Sequence, residues 1–316
     1  MDEAIDCVFL GNSGIQVSAV GIGTAAWGDR VAWGYGQNYS KDDLLDAYKT
    51  SRSAHINLFD TAEVYALGHS ERLLGQFIQE TGEAALVATK FMPFPWRLWK
   101  SSLNRALRGS LKRLGHDRVA LYQIHWPFPP RSVETWADAL ADAMEQGLTQ
   151  AVGVSNYNPD QLRRAHSVLI KRDVFLASNQ VEYNLLNREA ETSGLLGMCS
   201  ELGISLIAYS PLSQGILTGK YTPEKPPGGM RGRRYGQRLL EQIQPLIRQL
   251  REIGRAHDGK TPAQVALNWL ICKGAVPIPG AKNARQAHEN AGAMGWRLNE
   301  EEVELLDQNS QRIRSS

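Results

Sequence analysis

Four side chains of complementary chemistry stand at or just past the ends of three short apolar runs. Ile56-Asn57-Leu58-Phe59 leads into Asp60, with Tyr65 five residues further on; Ala85-Leu86-Val87-Ala88-Thr89 leads into Lys90; and Val119 to Ile124 leads into His125. Apolar runs of this length read as buried strands, and α/β sheets and barrels gather their reactive groups at strand ends. A phenol, with a reference pKa of about 10, is a poor proton donor at neutral pH unless a neighbouring cation stabilises its phenolate. Lys90 is a fitting cation, Asp60 a carboxylate to hold it, and His125 an imidazole to orient a carbonyl oxygen. Taken singly, an Asp or Lys at a strand end is usually a solvated boundary residue, and a lone His a hydrogen-bonded structural one. As a set they point to proton donation to a carbonyl.

Such a set needs a frame that brings separate strand ends together. Counting the first strand, Ala19 to Gly23, apolar runs recur near residues 56–59, 85–88, 119–124, 150–154, 176–180, 205–209 and 275–278. Each gap up to the seventh run holds one helix-sized amphipathic segment, such as the one capped by Ser40 that reaches about Ala54, Ser70 to Gln79, Ser101 to Leu114, Ser132 to Gln146 and Pro159 to Ile170. Strict alternation implies parallel strands joined by right-handed crossovers, and eight such units favour a closed (β/α)8 TIM barrel over an open sheet. Val8-Phe9-Leu10 and Ile15-Gln16-Val17 flank a Gly-rich turn and read as an N-terminal β-hairpin. The gap before the eighth strand is longer: Pro223 to Gly236 is rich in Pro, Gly and Arg, an extra helix spans about Gln237 to His257, and Thr261-Pro262 opens another. Helices near Asn283 to Ala293 and Asn299 to Gln311 follow, the last being a second addition to the barrel. No linker divides residues 1–316, which read as one domain.

Gly21-Ile22-Gly23-Thr24-Ala25-Ala26 matches a dinucleotide fingerprint, with Asp42 about 20 residues on, but that motif requires a helix to follow at once. The next residues, Trp27 to Asn38, are rich in glycine and aromatics instead, so the fingerprint is set aside.

Composition narrows the function classes. At 42% hydrophobic and 22% charged residues, the chain has the balance of a globular protein with an ample core. A net charge of +2, without basic tails or zinc-finger spacing, argues against nucleic acid as a partner. Cys7, Cys199 and Cys272 are scattered and odd in number, giving neither a disulfide framework nor a metal site. No run of about 18 apolar residues predicts a membrane span, and the N-terminus lacks signal-peptide features, so a cytoplasmic protein is expected, taken as a monomer. The sequon at Asn38-Tyr39-Ser40 is then a chance match.

The remaining strand ends carry amides that, taken singly, are more often turn or sheet-edge hydrogen bonders, though together they could hold a carboxamide. Gly153-Val154-Ser155-Asn156 and Asn179-Gln180 place amides that match both edges of a carboxamide, and Tyr209 offers a ring to stack on. Ile278-Pro279-Gly280-Ala281-Lys282-Asn283 opens a helix whose N-terminus favours an anion, with Lys282 adding a full positive charge.

These motifs resemble those of the aldo-keto reductase family over nearly the whole chain, most of all its plant plastid and cyanobacterial branch. The matching stretches are Asp60-Thr61-Ala62 with Tyr65, Ala88-Thr89-Lys90, Gln123-Ile124-His125-Trp126-Pro127, Gly153-Val154-Ser155-Asn156, Asn179-Gln180 and Tyr209-Ser210-Pro211-Leu212. Ala66 departs from the glycine that often follows the tyrosine. The resemblance implies catalysis by Asp60, Tyr65, Lys90 and His125, no metal, and a hairpin that plugs the barrel floor. It implies cofactor contacts from Gly23, Thr24, Asp60, Ser155, Asn156, Gln180 and Tyr209, and a pyrophosphate-covering loop with Ser210, Pro211, Leu212, Gln214, Gly215 and Lys220. Gly280, Ala281, Lys282, Gln286, Glu289 and Asn290 would hold the adenosine 2′-phosphate and adenine end, which implies NADPH over NADH.

The substrate would be a small aldehyde or ketone. Loop aromatics Trp27, Trp33, Tyr35, Phe91, Trp96, Trp99 and Trp126 are expected to line its pocket, suggesting a flat or apolar face. The short tail after the last helix predicts an open pocket and a broad substrate range. The basic stretch Arg231-Gly232-Arg233-Arg234 stands as either a solvated charge run or a clamp on phosphates or an acidic substrate. A second function class is an NADPH-binding sensor like the voltage-gated potassium-channel β subunits, which share the fold and catalytic set.

Overall fold

The structure is a computed structural model that describes residues 6–228, 232 and 235–314. The basic stretch Arg231 to Arg234 lies, apart from Gly232, outside the described residues. A two-stranded antiparallel hairpin, β1 (Cys7–Phe9) and β2 (Gln16–Ser18), comes first. Eight parallel strands follow: β3 (Ile22–Gly23), β4 (Leu58–Asp60), β5 (Leu86–Phe91), β6 (Val119–Ile124), β7 (Thr149–Ser155), β8 (Leu176–Glu182), β9 (Ser205–Tyr209) and β10 (Ala275–Pro277). Each pairs with the next in chain order. The ring closes between its ends, where the Gly21 and Gly23 N–H groups donate to the Pro277 and Pro279 carbonyls at 2.9 and 3.0 Å and Gly23 bridges Gly280. Glycine is needed at this seam, because a Cβ on Gly23 would lie 2.9 Å from the Ile278 carbonyl oxygen. The architecture is the TIM barrel that the alternating pattern predicts.

Alternate residues of each strand face inward. Leu58, Ala88, Leu121, Ala151, Ala177, Ile207 and Val276 fill the lower interior, and Leu10 and Val17 of the hairpin join them to close the floor. The hairpin turn sits hard against the barrel: a Cβ on Gly11, whose φ is +51°, would come within 2.5 Å of the Ala177 carbonyl oxygen. The opposite faces of the strands, with Phe59, Tyr122 and Val152 among them, pack under the helices in a second and larger apolar layer.

Several helices begin where side chains satisfy their free N–H groups. Ser40 with Asp43, Asn158 with Gln161, and Thr261 with Gln264 form reciprocal capping boxes that start Lys41–Ser53, Pro159–Ile170 and Pro262–Cys272. The two additions to the barrel, Gln237–Ala256 and Glu300–Arg314, pack against each other. Two details differ from the expected pattern. The gap between β8 and β9 holds two short helices, Glu189–Thr192 and Leu195–Glu201, because Gly194 takes a left-handed conformation between them. After Gly23 the chain makes turns until Lys41, so the glycine fingerprint lacks its helix. Among the described residues no helix is long and apolar enough to cross a membrane.

Leu121 is fully buried in the interior layer that supports the upper site. Leu121→Ala is expected to cost about 2–5 kcal/mol of stability, read as a lower urea midpoint at an unchanged slope.

Candidate active site

Lys90 is the centre of the upper barrel. Strand register sets Asp60 beside Ala88, and Lys90, two residues on, points to the same interior. Its ammonium is fully buried and donates to Asp60 Oδ2 at 2.5 Å, to the Thr61 carbonyl at 2.9 Å and to Tyr65 Oη at 3.3 Å. Three partners for three N–H bonds leave the cation saturated. The His125 ring meets Tyr65 edge-on, with centroids 5.7 Å apart. The structure thus brings together the four residues expected to do the chemistry.

Tyr65 stands beyond the end of β4 on a turn that reverses sharply. Ala66, Leu67 and Gly68 take φ values of +48°, +55° and +78°, so Ala66 adopts the left-handed conformation that glycine would adopt more cheaply. The turn is braced from the side. The Glu63 carboxylate accepts from the Met92 N–H at 2.8 Å and from both terminal nitrogens of Arg97, whose guanidinium lies over the rings of Phe91 and Phe94 at 4.8 and 5.3 Å.

Burial and charge compete over these groups. Burial pushes the Tyr65 phenol above its ordinary value, and the Lys90 ammonium pulls it back only in part. The expectation that Lys90 leaves the phenol more acidic than usual therefore holds for its own contribution and not for the net shift. Burial also works against the charge on Lys90, but the Asp60 carboxylate and Tyr65 outweigh it and hold the ammonium above its usual range. His125 is driven down to about 3, first by burial and then by Lys90, so its imidazole is neutral. Its Nδ1 is buried without a hydrogen-bond partner.

A further layer escaped the sequence reading. Asp60 Oδ1 accepts from Gln180 Nε2 at 2.8 Å and from Gln123 Nε2 at 3.4 Å, so both glutamines hold the carboxylate that holds the lysine. Gln123 lay inside a motif already noted, two residues before His125 and thus on the same face of β6, which is the signal that could have found it. Asn156, at φ +62°, donates to the His125 carbonyl at 3.0 Å and accepts from Tyr209 Oη at 3.0 Å, while Ser155 Oγ donates to the Gln180 carbonyl.

A cavity of about 510 Å³ runs from these residues across the barrel mouth. Of the expected cofactor residues, Gly23, Asp60, Ser155, Asn156, Gln180, Tyr209, Ser210, Pro211, Leu212, Gln214, Gly215, Lys220, Gly280, Lys282, Gln286, Glu289 and Asn290 line it. Thr24 and Ala281 stand behind the wall: Thr24 Oγ1 donates to the Asp60 carbonyl, and the Ala281 carbonyl accepts from Trp27 Nε1. Arg285, not singled out from sequence, joins the lining from the first turn of the helix Ala284–Ala291. Of the aromatics expected around the substrate, Trp33 and Trp126 line the cavity. Trp27 and Phe91 are fully buried packing residues, against Phe77 and Trp136 respectively. Tyr35 leans on Tyr39 and His69, and Trp96 and Trp99 are 70% and 71% exposed outside the cavity. Periodicity marks an aromatic as a loop residue but does not give its direction.

The donor set fits a nicotinamide dinucleotide. One end of the cavity holds the Tyr65 phenol and the His125 imidazole beside the Asn156 and Gln180 amides; the other holds Lys282, Arg285 and a helix N-terminus, which suit phosphates. Among the described residues no cluster of His, Cys, Asp or Glu could hold a metal.

A family model described as "Aldo/keto reductase family" matches residues 19–311. The chain belongs to the aldo/keto reductase family. It is 44% identical over 306 residues to the chloroplastic pyridoxal reductase of Arabidopsis thaliana, covering 92% of this chain and 83% of that protein. It is 38% identical over 294 residues to an uncharacterized oxidoreductase of Mycobacterium tuberculosis, covering 92% and 88%. Among solved structures, glycerol dehydrogenase from Gluconobacter oxydans matches with a TM-score of 0.86 at 25% identity over 99% of this chain and 97% of that one. An aldo/keto reductase from Klebsiella pneumoniae in complex with NADP and acetate matches with a TM-score of 0.75 at 25% identity, covering 96% and 95%. This aldo/keto reductase is accordingly an NADP-dependent oxidoreductase of a family that acts on small carbonyl compounds.

Removing one partner of the buried pair strands the other charge. Lys90→Met is expected to lower stability by about 3–5 kcal/mol in chemical denaturation, and Asp60→Asn in the same chain to recover most of it without restoring activity. His125 gives a pH signature. The folded state favours the neutral ring, so its contribution is full above about pH 6.5 and is lost as pH falls toward about 3. Against a His125→Gln variant, the wild type is expected to lose roughly 3 kcal/mol more stability between pH 7 and pH 4, measured by urea titration.

Proposed function

We propose that this aldo/keto reductase converts aldehydes and ketones to alcohols with NADPH, Tyr65 being the proton donor, over a broad range that includes flat aromatic aldehydes. The observation that carries the reading is the single buried ammonium of Lys90, shared between Asp60 Oδ2 at 2.5 Å and Tyr65 Oη at 3.3 Å. When bound, the nicotinamide supplies the hydride that adds to the carbonyl carbon.

The protein's own groups manage the oxygen. As negative charge develops there, the Tyr65 phenol gives up its proton, and the alkoxide leaves as an alcohol. Lys90 then faces the new phenolate and stabilises it, and solvent returns the proton. Asp60, itself fixed by Gln180 and Gln123, keeps Lys90 charged so that this stabilisation is in place beforehand. Neutral His125 donates a hydrogen bond to the carbonyl oxygen without competing with Tyr65 as an acid.

At the far end, Lys282, Arg285 and the N–H groups that open Ala284–Ala291 favour a phosphate, which supports NADPH over NADH. At the reactive end Trp126 lies parallel to Phe128, with centroids 5.5 Å apart, and gives the carbonyl pocket a flat wall. The similarity to a pyridoxal reductase adds weight to an aromatic aldehyde as one substrate.

The test is NADPH consumption with 4-nitrobenzaldehyde, pyridoxal and methylglyoxal, wild type beside Tyr65→Phe. Turnover is expected to fall about a hundred- to ten-thousandfold in the variant while NADPH affinity stays within about twofold. Wild-type rates in Tyr65→Phe would remove the tyrosine from the chemistry, and a wild type that binds NADPH but turns over none of the panel would remove the broad range.

A further inference from the structure

Lys282 does more than stand at a helix start. Its ammonium lies 4.6 Å from the centroid of the Trp33 ring and 4.8 Å from that of Tyr39, both carried by the long segment between β3 and the first helix. That segment is built, not slack. Its base is tied to the segment after β10 by Trp27 Nε1 donating to the Ala281 carbonyl at 2.8 Å. Its middle is turned by Asp29, whose Oδ1 accepts from the Val31 and Ala32 N–H groups at 2.9 and 2.8 Å. Its return is fixed by the Gly36 N–H donating to the Tyr39 carbonyl, and the Tyr39 hydroxyl donates to the Ala26 carbonyl. Trp33 lines the same cavity as Lys282, Arg285 and Gln286.

We propose that the segment 28–39 is a clasp for the phosphate-bearing end of the cofactor, with Trp33 laid on Lys282 as its working contact. The proposal rests on the NADPH reading above and assigns Trp33 to the cofactor, not to the carbonyl substrate. Two aromatic faces attract the ammonium and shield it from water. A phosphate arriving at Lys282 meets a cation that is already ordered and partly dehydrated, so less freedom is lost on binding and the ionic contact acts in a lower dielectric. A dinucleotide without the 2′-phosphate gains little from either effect. The clasp therefore contributes to the choice between NADPH and NADH and slows release of the one it favours.

The experiment uses the full chain and reads binding directly. Calorimetry gives NADPH and NADH affinities, and displacement by excess NADP+, followed by reduced-nicotinamide fluorescence, gives the release rate, for wild type, Trp33→Ala, Trp33→Phe, Lys282→Met and the Trp33→Ala/Lys282→Met double variant. Trp33→Ala is expected to weaken NADPH about tenfold and speed its release to match, to move NADH less than about threefold, and to be largely rescued by phenylalanine. In the Lys282→Met background the same change should have almost no further effect. An unchanged NADPH release rate with a raised KM for the aldehyde would return Trp33 to the substrate and overturn the proposal, as would equal weakening of NADH or additive effects in the double variant. A wild type that fails to prefer NADPH would instead sink the reading beneath it.

Discussion

A lysine and an aspartate share a hydrogen bond of 2.5 Å in the interior of the barrel mouth, and the rest of the molecule is arranged so that they can. Burying two opposite charges is costly unless every remaining polar direction is satisfied. Here the lysine's other N–H bonds reach the Thr61 carbonyl and Tyr65, and the aspartate's second oxygen takes Gln180 and Gln123. Four strands thus contribute to one small polar knot above a floor of aliphatic side chains. Stability and the placement of Tyr65 draw on the same bonds, because the arrangement that makes the buried charges tolerable also fixes the phenol next to its cation.

Much of this was legible in the chain. The alternation of apolar runs and amphipathic segments gave the barrel, since a continuous apolar run marks a strand buried on both faces and a period of three to four residues marks a helix with one buried face. The runs ending in Asp60, Lys90 and His125 gave the cluster at the barrel mouth, because parallel strands of one barrel bring their C-terminal ends to the same rim. Helix starts at Ser40 and Thr261 followed from local hydrogen bonding that needs no tertiary context.

What was not legible depends on direction and on distance. Trp27 and Trp33 sit six residues apart in one irregular segment, yet one is sealed in the core and the other faces the cavity. No periodicity exists there to tell them apart. Gln123 and Gln180 belong to strands separated by more than fifty residues, and their convergence on Asp60 is a property of barrel stagger. The net direction of the Tyr65 shift likewise could not be read from a nearby lysine alone, since it is a contest between charge and burial. The left-handed run at Ala66 to Gly68 shows the same limit: the departure from glycine was visible, but the brace of Glu63 on Arg97 and Met92 beside it was not.

The seam of the barrel carries one more consequence. The backbone that closes the ring, Pro277 to Gly280 against Gly21 and Gly23, continues without interruption into Lys282 and the helix N-terminus at the far end of the cavity. Ring closure and ligand cradle are therefore one stretch of chain. A molecule that binds only the closed form adds its binding free energy to closure by mass action. Occupancy of the cavity and resistance of the folded chain to proteolytic opening become linked quantities.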